Sequence, residues 1–233
     1  MNKLLTGCES LDNLLEGGVE ASAITEFYGE AGSGKTNVCL QLARNCAKIG
    51  KKVVYIDTEG VSIERLKQIC GEQFDSLNKS ILFFEPYSLE EQEQIVDKAV
   101  RLAESSDDIG LIIVDSATIF YRFLLGSGNE VEIIRALSQQ ATKLLGVARK
   151  KNIPVVITNQ VYTNLDTNEL EPIGGQALKH TAKAIIKLER LSKGRRRATI
   201  IKHRSISDEL SAEFVLTDKG VESVQGIKRI FGK

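Results

Sequence analysis

No long run of apolar residues occurs in this 233-residue sequence. A helix that spans a membrane needs about 20 consecutive, mainly apolar residues. The N-terminal segment MNKLLTGCESLDNLL also carries acidic residues early, which is not typical of a signal peptide. We therefore expect neither a membrane span nor a signal peptide, and we predict a cytoplasmic protein.

Cysteine pairs with metal-binding spacing are also absent. The four cysteines form no CxxC pair, and neither they nor the two histidines have a zinc-binding spacing. Nothing in the sequence indicates an oxidising compartment. Because free cysteines are among the most often buried residues, we predict reduced and mostly buried thiols. The four cysteines are Cys8, Cys39, Cys46 and Cys70, and the two histidines are His180 and His203.

The chain has no excess of charge of either sign, because 31 basic residues balance 31 acidic ones. Long-range attraction of the whole molecule to nucleic acid or an anionic membrane does not follow from this balance, so such binding must come from a local patch. Proline-rich linkers, repeats and low-complexity tracts are lacking too. We therefore predict one domain over residues 1–233, with no internal boundary.

The sequence does contain a regular alternation of short apolar runs and segments with helical spacing. The apolar runs, which predict strands, are Ala23–Tyr28, Val53–Ile56, Ile81–Phe84, Leu111–Val114, Pro154–Thr158, Ala184–Leu188, Ala198–Ile201 and Glu213–Leu216. The predicted helices are Lys35–Ile49, Ile63–Cys70, Leu89–Ser105 and Glu130–Lys150. This alternation predicts an α/β fold with a mainly parallel central sheet flanked by helices. After Ala184 the runs lie too close together for long helices and predict an antiparallel C-terminal extension, with a hairpin turn at Ser192–Arg197.

One motif in the sequence predicts phosphate binding. Residues 29–36 read GEAGSGKT and match the pattern GxxxxGK[ST], between a predicted strand and a predicted helix. The glycines let successive backbone N–H groups point at phosphate oxygens, with the positive end of the helix dipole behind them. Lys35 is predicted to reach the β and γ phosphates, and the Thr36 hydroxyl to coordinate Mg²⁺. The predicted phosphate-binding residues are Gly29, Glu30, Ala31, Gly32, Ser33, Gly34, Lys35 and Thr36.

Acidic residues follow two predicted strands at the edge where open α/β sheets bind ligands. Asp115 ends the apolar run LIIVD, and together with the phosphate-binding loop it predicts a carboxylate that holds Mg²⁺ directly or through water. Read alone, Asp115 would be a turn or N-cap residue. Glu59 follows the run VVYI and is a candidate general base for an attacking water. The alternative for Glu59 is a solvated loop carboxylate.

In their order, these segments resemble the ATPase core of the RecA/RadA recombinase family, and in particular the archaeal RadB group of short RadA paralogues. The segment TGCESLDNLLEGGVEASAITEFYGEAGSGKT resembles the family's entry segment and phosphate loop. The blocks VVYIDTEG, DSATIFYR, VVITNQV and PIGGQALKH match later family blocks in the same order. The resemblance implies a RecA-like P-loop NTPase core, ATP and Mg²⁺ as cofactors, weak ATP hydrolysis, and DNA binding in homologous recombination and repair.

The resemblance also implies roles for individual residues. Lys35 and Glu59 are implied to be catalytic, with Glu59 as the base that activates water, and Asp115 matches the Walker B acid. Gln160 resembles the family's sensor of the γ-phosphate, whose amide both donates and accepts hydrogen bonds. Arg65 matches the arginine that stacks on adenine. The alternative for Arg65 is an ordinary surface arginine on a helix.

Two loops of the family line a DNA channel, and the matching segments here run over residues 121–129 and 162–175. The resemblance implies that Arg122 contacts DNA phosphate and that Tyr121 or Tyr162 stacks on a base. The second segment contains three acidic residues and no lysine or arginine, so it offers little attraction to a phosphate backbone.

Basic residues are concentrated in the predicted C-terminal hairpin. Its tip, with Arg195, Arg196 and Arg197, is a candidate DNA-binding patch, and a solvated charged turn is the alternative. The following segment IKHRS resembles the Lys-x-Arg finger that ring ATPases of the KaiC and DnaB type insert into a neighbour's nucleotide site. This resemblance implies that Lys202 and Arg204 act in trans and that an isolated subunit hydrolyses ATP poorly.

The sequence departs from RadA-type recombinases at its N-terminus. Those proteins carry a helical DNA-binding domain and a linker with a Phe-x-x-Ala docking element, whereas this sequence begins at the ATPase core. We therefore predict an accessory protein that binds single-stranded or branched DNA and has a RadA-type recombinase, other repair proteins or copies of itself as partners. The alternative is a KaiC-like regulatory switch whose nucleotide state controls a protein partner.

Overall fold

A computed structural model describes residues 2–122, 130–163, 170–173 and 175–224 of the chain. Its strands are β1 (Lys3–Leu4), β2 (Val19–Glu20), β3 (Ile24–Tyr28), β4 (Lys52–Asp57), β5 (Ile81–Phe84), β6 (Ile109–Asp115), β7 (Val155–Asn159), β8 (Val161–Thr163), β9 (Leu170–Pro172), β10 (Ala184–Arg190), β11 (Arg195–His203), β12 (Ser211–Thr217) and β13 (Gly220–Ser223). Its α-helices are α1 (Glu9–Leu14), α2 (Lys35–Lys48), α3 (Ile63–Cys70), α4 (Phe74–Leu77), α5 (Leu89–Ser105), α6 (Ile119–Arg122), α7 (Glu130–Lys151) and α8 (Gly175–Thr181). Short 3₁₀ turns lie at Gly71–Gln73, Asn78–Ser80 and Ser192–Gly194.

A nine-stranded sheet in the order β13-β12-β11-β10-β3-β7-β6-β4-β5 forms the centre of the molecule. The strands from β10 to β5 are parallel to their neighbours, whereas β11, β12 and β13 continue the sheet in antiparallel pairs. The predicted α/β fold, with a mainly parallel sheet and an antiparallel C-terminal extension, is therefore confirmed. The pairs β1–β2 and β8–β9 form two small additional sheets.

Helices cover both faces of the central sheet, which explains why the strands contain runs without polar alternation. In β4, Val53 and Tyr55 belong to the apolar core on the α2 face. Val54 and Ile56 belong to the core on the opposite face, together with residues of α5 and α7. The carboxyl ends of β3, β4, β6 and β7 consequently meet at one edge of a sheet that is rigidly packed on both sides.

The predicted helices are present, with bounds that agree closely with the sequence pattern. Helices α3 and α5 have the predicted bounds, and α2 and α7 differ from the prediction by one residue each. Helix α3 follows Ser62, whose hydroxyl accepts a hydrogen bond from the backbone N–H of Arg65 (3.2 Å). Helix α5 follows Ser88, whose hydroxyl accepts from the N–H of Glu91 (3.1 Å). Such N-caps satisfy an otherwise unpaired helix N–H. Among the described helices, none is long and apolar enough to cross a lipid bilayer.

The hairpin between β10 and β11 is tighter than predicted. Its turn is limited to Ser192–Gly194, where Lys193 (φ 58°) and Gly194 (φ 75°) have positive φ. Residues 195–197, predicted as part of the turn, belong to β11 because they pair with β12, and two of them also pair with β10. The three arginines are therefore strand residues rather than turn residues.

Helix α2 runs from the phosphate loop into the core and contacts the edge strand β13. The Gln41 Oε1 atom accepts a hydrogen bond from the backbone N–H of Val221 (2.7 Å), and Gln41 Nε2 donates to the Val221 carbonyl oxygen (3.0 Å). All four cysteines are buried in the core on this face and are free thiols, which confirms the prediction for them.

Candidate nucleotide-binding site

Residues 29–36 form the connection between β3 and α2. A Cβ atom at Gly29 would lie 2.1 Å from the Leu188 carbonyl oxygen in β10, so this position requires glycine. Gly34, the N-cap of α2, has a φ of 108°, which side chains other than glycine rarely adopt. The Ser33 hydroxyl is buried and has no hydrogen-bond partner within the described part of the chain. Backbone amides at a helix N-terminus, together with an unused hydroxyl donor, fit an anionic phosphate group.

Lys35 directs its ammonium group into this loop. The Nζ atom donates hydrogen bonds to the carbonyl oxygens of Gly29 (2.8 Å) and Glu30 (3.0 Å). Burial lowers the pKa of Lys35, whereas the carboxylates of Glu59 and Asp115 act in the opposite direction. The lysine thus lies between the phosphate loop and two acidic residues.

Asp115 ends β6 and is fully buried. Its Oδ2 atom accepts a hydrogen bond from the Tyr55 hydroxyl (2.7 Å), and its Oδ1 atom accepts from the Thr158 hydroxyl (2.6 Å). Burial raises the pKa of Asp115, and hydrogen bonds from Thr158, Tyr55 and Thr36 act against that rise. Strands β4, β6 and β7 and the start of α2 therefore converge on one carboxylate.

The two residues predicted to hold Mg²⁺, Thr36 and Asp115, lie near each other. The Thr36 side chain lies close enough to the Asp115 carboxylate to lower its pKa, so two oxygen donors of the kind that Mg²⁺ prefers lie near each other. The donor set fits this cation. Tyr55 and Thr158 were not predicted as site residues, because both lie within apolar runs of the sequence. The signal that could have indicated them is a hydroxyl near the carboxyl end of a predicted central strand.

Glu59 and Gln160, predicted from separate sequence blocks, are in direct contact. Gln160 Nε2 donates a hydrogen bond to Glu59 Oε1 (2.8 Å). The turn that carries Glu59 is held by Asp57, whose carboxylate accepts from the backbone N–H groups of Glu59 (3.1 Å), Gly60 (2.9 Å) and Val61 (2.5 Å). No role for Asp57 was predicted above, although an aspartate two or three residues before a glycine is typical of such a turn.

Arg65 lies in the first turn of α3, beside the first turn of α2. Its Nε atom donates to Asn37 Oδ1 (2.6 Å), and its Nη1 atom donates to Gln68 Oε1 (3.0 Å). These hydrogen bonds hold the guanidinium group next to the helix that follows the phosphate loop. The stacking of Arg65 on adenine stays a prediction.

A buried polar network lies next to Gln160 in the chain. Asn159 Nδ2 donates to Glu26 Oε1 (2.9 Å) and to the Ile173 carbonyl oxygen (2.8 Å), and its Oδ1 atom accepts from the Thr118 hydroxyl (2.7 Å). The backbone N–H of Ile173 donates to the Gln160 carbonyl oxygen (3.0 Å). Burial raises the pKa of Glu26 to about 7, although the Asn159 hydrogen bond opposes the rise. The network joins β3, β7 and the chain that follows β9.

The three arginines of the predicted DNA-binding patch point to two faces of β11. Arg195 and Arg197 each approach an oxygen of Glu213 at 3.5 Å. Arg196 points the other way, and its Nη2 atom donates to the Gly32 carbonyl oxygen (3.4 Å) in the phosphate loop. Side chains alternate between the two faces of a strand, so a patch predicted as one cluster is divided. DNA binding by these three residues stays a prediction.

The predicted DNA-channel loops are described in part. Tyr121 is buried, and its hydroxyl accepts a hydrogen bond from Gln140 Nε2 (2.8 Å), so the expectation that it stacks on a base is wrong. Tyr162 is exposed, and its hydroxyl donates to Glu171 Oε2 (3.1 Å). The side chain of Arg122 and residues 123–129 and 164–169 lie outside the described part of the chain.

Lys202 and Arg204, the predicted trans finger, contact their own chain. Lys202 Nζ donates to the carbonyl oxygens of Ala182 (2.8 Å) and Lys179. Arg204 Nε forms an ion pair with Glu20 Oε2 (2.8 Å). Their role in trans stays a prediction.

The loop around Lys35 and the acidic edge beside it, set on this sheet, define a P-loop nucleotide-binding protein with a RecA-like fold. The Rad51 family model matches residues 1–224. The chain is 49% identical over 220 residues to the DNA repair and recombination protein RadB of Methanococcoides burtonii, an alignment that covers 94% of this chain and 97% of the relative. This chain belongs to the Rad51 family, and ATPases of this family generally use ATP with Mg²⁺.

Other relatives agree with this assignment. The chain is 41% identical to the protein of the same name from Thermoplasma acidophilum, with 95% of this chain and 94% of the relative covered. It is also similar to a crystal structure of the RadB recombinase, with a TM-score of 0.83 and 35% identity, and the match covers 95% of this chain and all of that chain. The resemblance to the RecA/RadA recombinases and the archaeal RadB group is confirmed.

Proposed function

We propose that this chain binds ATP with Mg²⁺ through residues 29–36, hydrolyses it slowly, and binds DNA. The observation that supports this proposal most is the meeting of Lys35, Asp115 and the Glu59–Gln160 pair at one edge of the sheet. The similar archaeal proteins are named as DNA repair and recombination proteins, and this chain has a RecA/RadA-like role in the same processes.

The proposed site divides the work among the residues described above. The loop amides and the Lys35 ammonium bind the phosphates. Thr36 and Asp115 hold Mg²⁺, which when bound neutralises charge on the phosphates. Glu59 takes the proton of the attacking water, and Gln160 orients the Glu59 carboxylate through its 2.8 Å hydrogen bond. Arg65 stacks on the adenine ring.

We further propose that the protein works as a single domain over residues 1–233. Its partners are single-stranded or branched DNA, a RadA-type recombinase or other repair proteins, and copies of itself. The second loop segment, residues 162–175, contains no lysine or arginine, which suits an accessory protein rather than an independent strand-exchange enzyme. A cytoplasmic location agrees with work on chromosomal DNA and stays a prediction.

Calorimetry of the full chain with MgATP, combined with a phosphate-release assay, tests the nucleotide site. Lys35→Ala should abolish the binding heat, because it removes the cation that lies inside the phosphate loop. Glu59→Gln should keep the affinity and lose turnover by about 100-fold or more, because an amide cannot take a proton from water. Glu72→Gln removes an exposed carboxylate away from the loop and serves as the matched control. Turnover retained in Glu59→Gln would show that another group activates the water.

A KaiC-like switch that controls a protein partner is the second candidate. Two observations favour it. The chain has no net charge, and the carboxylate of Glu171 lies against Tyr162 in the second loop segment, where negative charge would repel DNA phosphate. Under this hypothesis nucleotide binding remains and DNA plays no part.

Titration of labelled single-stranded DNA at low salt, with and without MgATP, separates the two candidates. If the chain binds DNA, the double variant Arg195→Gln/Arg197→Gln should weaken binding about tenfold, because phosphate contacts depend on local cations. The matched control is Lys143→Gln/Lys150→Gln, which removes two exposed, ion-paired lysines from α7. DNA binding that is absent from the wild type in both conditions would reject the DNA role and leave the switch.

A further inference from the structure

The β10–β11 hairpin places two arginines beside the phosphate loop of the same chain. The strand register pairs Arg190 directly with Arg196. Arg196 donates from Nη2 to the Gly32 carbonyl oxygen (3.4 Å) and from Nη1 to the Gly194 carbonyl oxygen. The Nη1 and Cδ atoms of Arg190 lie 3.6 and 3.7 Å from the position that a Cβ atom would take at Gly32. Two guanidinium groups therefore flank one residue of the loop.

The guanidinium groups of Arg190 and Arg196 differ from those of Arg195 and Arg197 in their pairing with carboxylates. Among the ion pairs of the described residues, Arg195 and Arg197 pair with Glu213, whereas no pair involves Arg190 or Arg196. The Arg196 Nε atom is buried and has no hydrogen-bond partner in the described part of the chain. Burial is the larger cause that lowers the pKa of Arg196, and the positive charge of Arg190 lowers it further. Two adjacent cations with an unused donor favour the binding of an anion.

We propose that Arg190 and Arg196 form a cationic pair that binds the phosphates of the nucleotide held by the same subunit's loop. The inference rests on the proposed function, since a nucleotide at residues 29–36 brings the anion to the pair. A guanidinium group suits this task because its planar set of donors matches the oxygens of a phosphate. The pair acts in cis, from strands that lie far along the chain from the phosphate loop at residues 29–36.

The position of the pair favours a nucleotide phosphate over a DNA phosphate. Arg196 donates a hydrogen bond to Gly32 of the phosphate loop, and Arg190 lies on the side of Gly32 where a Cβ atom would be. Arg195 and Arg197 lie on the opposite face of β11 and are the arginines that a DNA strand on that face would meet. Strand β11 thus directs Arg196 towards the phosphate loop and directs Arg195 and Arg197 to its opposite face.

Calorimetry with MgATP on full-chain variants tests the pair. Arg190→Gln and Arg196→Gln should each weaken MgATP binding about tenfold, because each removes one charge-assisted contact to phosphate. Arg101→Gln makes the same change at an exposed arginine of α5 and should leave the MgATP affinity unaltered. Arg196→Lys keeps the charge without the planar donors and should bind with intermediate affinity.

Two further measurements separate phosphate binding from a loosened hairpin. The dependence of MgATP affinity on salt should become less steep in Arg190→Gln and Arg196→Gln, because a cation has left the binding site. Affinity that falls with an unchanged salt dependence and no recovery in Arg196→Lys would contradict the proposal.

The remaining outcomes are also distinct. Equal MgATP affinity in the three glutamine variants would overturn the pair. Loss of single-stranded DNA binding in Arg196→Gln with MgATP affinity unchanged would assign this arginine to DNA and overturn it as well. A wild-type chain that does not bind MgATP would contradict the proposed function itself, before the pair is tested.

Discussion

Glu26 carries its carboxyl group into the middle of the sheet, where it is almost fully buried. Its pKa rises from an ordinary value of 4.5 to about 7, chiefly because burial disfavours the charged form. Between these two pH values the folded chain keeps a proton that the unfolded chain has released. The free energy of unfolding should therefore fall as the pH rises from about 4.5 to about 7 and should change little from this group above that range.

Glu26→Gln should remove this dependence on pH. The amide is neutral at every pH, and its oxygen still accepts the hydrogen bond from Asn159. We expect the variant to be more stable than the wild type by on the order of 1–3 kcal/mol near pH 8 and nearly equal to it near pH 4. Urea unfolding at several pH values measures the difference. Glu189→Gln, at a half-exposed carboxylate on β10, is the control, and a constant difference across the pH range would refute the assignment to Glu26.

At the scale of elements, the sequence predicts most of what positions the site. The helical spacing of apolar residues and the N-cap serines determine α3 and α5. The hydroxyls of Ser62 and Ser88 each accept a hydrogen bond from a backbone N–H in the first turn of the helix. The motif at residues 29–36 predicts the loop because strand, glycines and helix are adjacent in the chain. The order of the strands in the sheet is not encoded locally, yet buried apolar runs with intervening helices predict its parallel centre.

The contacts between elements could not be predicted in the same way. Tyr55 and Thr158 stand in apolar runs, and their bonds to Asp115 arise only when β4, β6 and β7 become neighbours. The division of Arg195 and Arg196 between two faces depends on where the turn stops. That limit is set by pairing with β12, which lies farther along the chain. Long-range pairing therefore decides the features that local pattern leaves open.

At the scale of the whole molecule, the proposed trans finger predicts that hydrolysis depends on association. Lys202 and Arg204 contact their own chain, so insertion into a neighbour would exchange those contacts for phosphate. Turnover per subunit should rise with protein concentration. A mixture of Arg204→Ala, which has an intact loop, and Lys35→Ala, which has an intact finger, should exceed the sum of the separate activities.

A mixture of Glu59→Gln and Lys35→Ala is the matched control for this experiment, because both variants are defective in the nucleotide site itself and neither can compensate for the other. Turnover that is independent of concentration, with no gain in the first mixture, would show that the finger residues do not act across an interface.

The contact between Gln41 and Val221 has a consequence for how copies of this chain meet. Strand β13 is the last in the sheet, and an outermost strand normally leaves its backbone groups free to add a strand from another molecule. At Val221 the side-chain amide of Gln41 satisfies both the N–H and the carbonyl oxygen. The helix that follows the phosphate loop therefore occupies the backbone groups of Val221, so a strand from another copy could pair at this residue only by displacing Gln41.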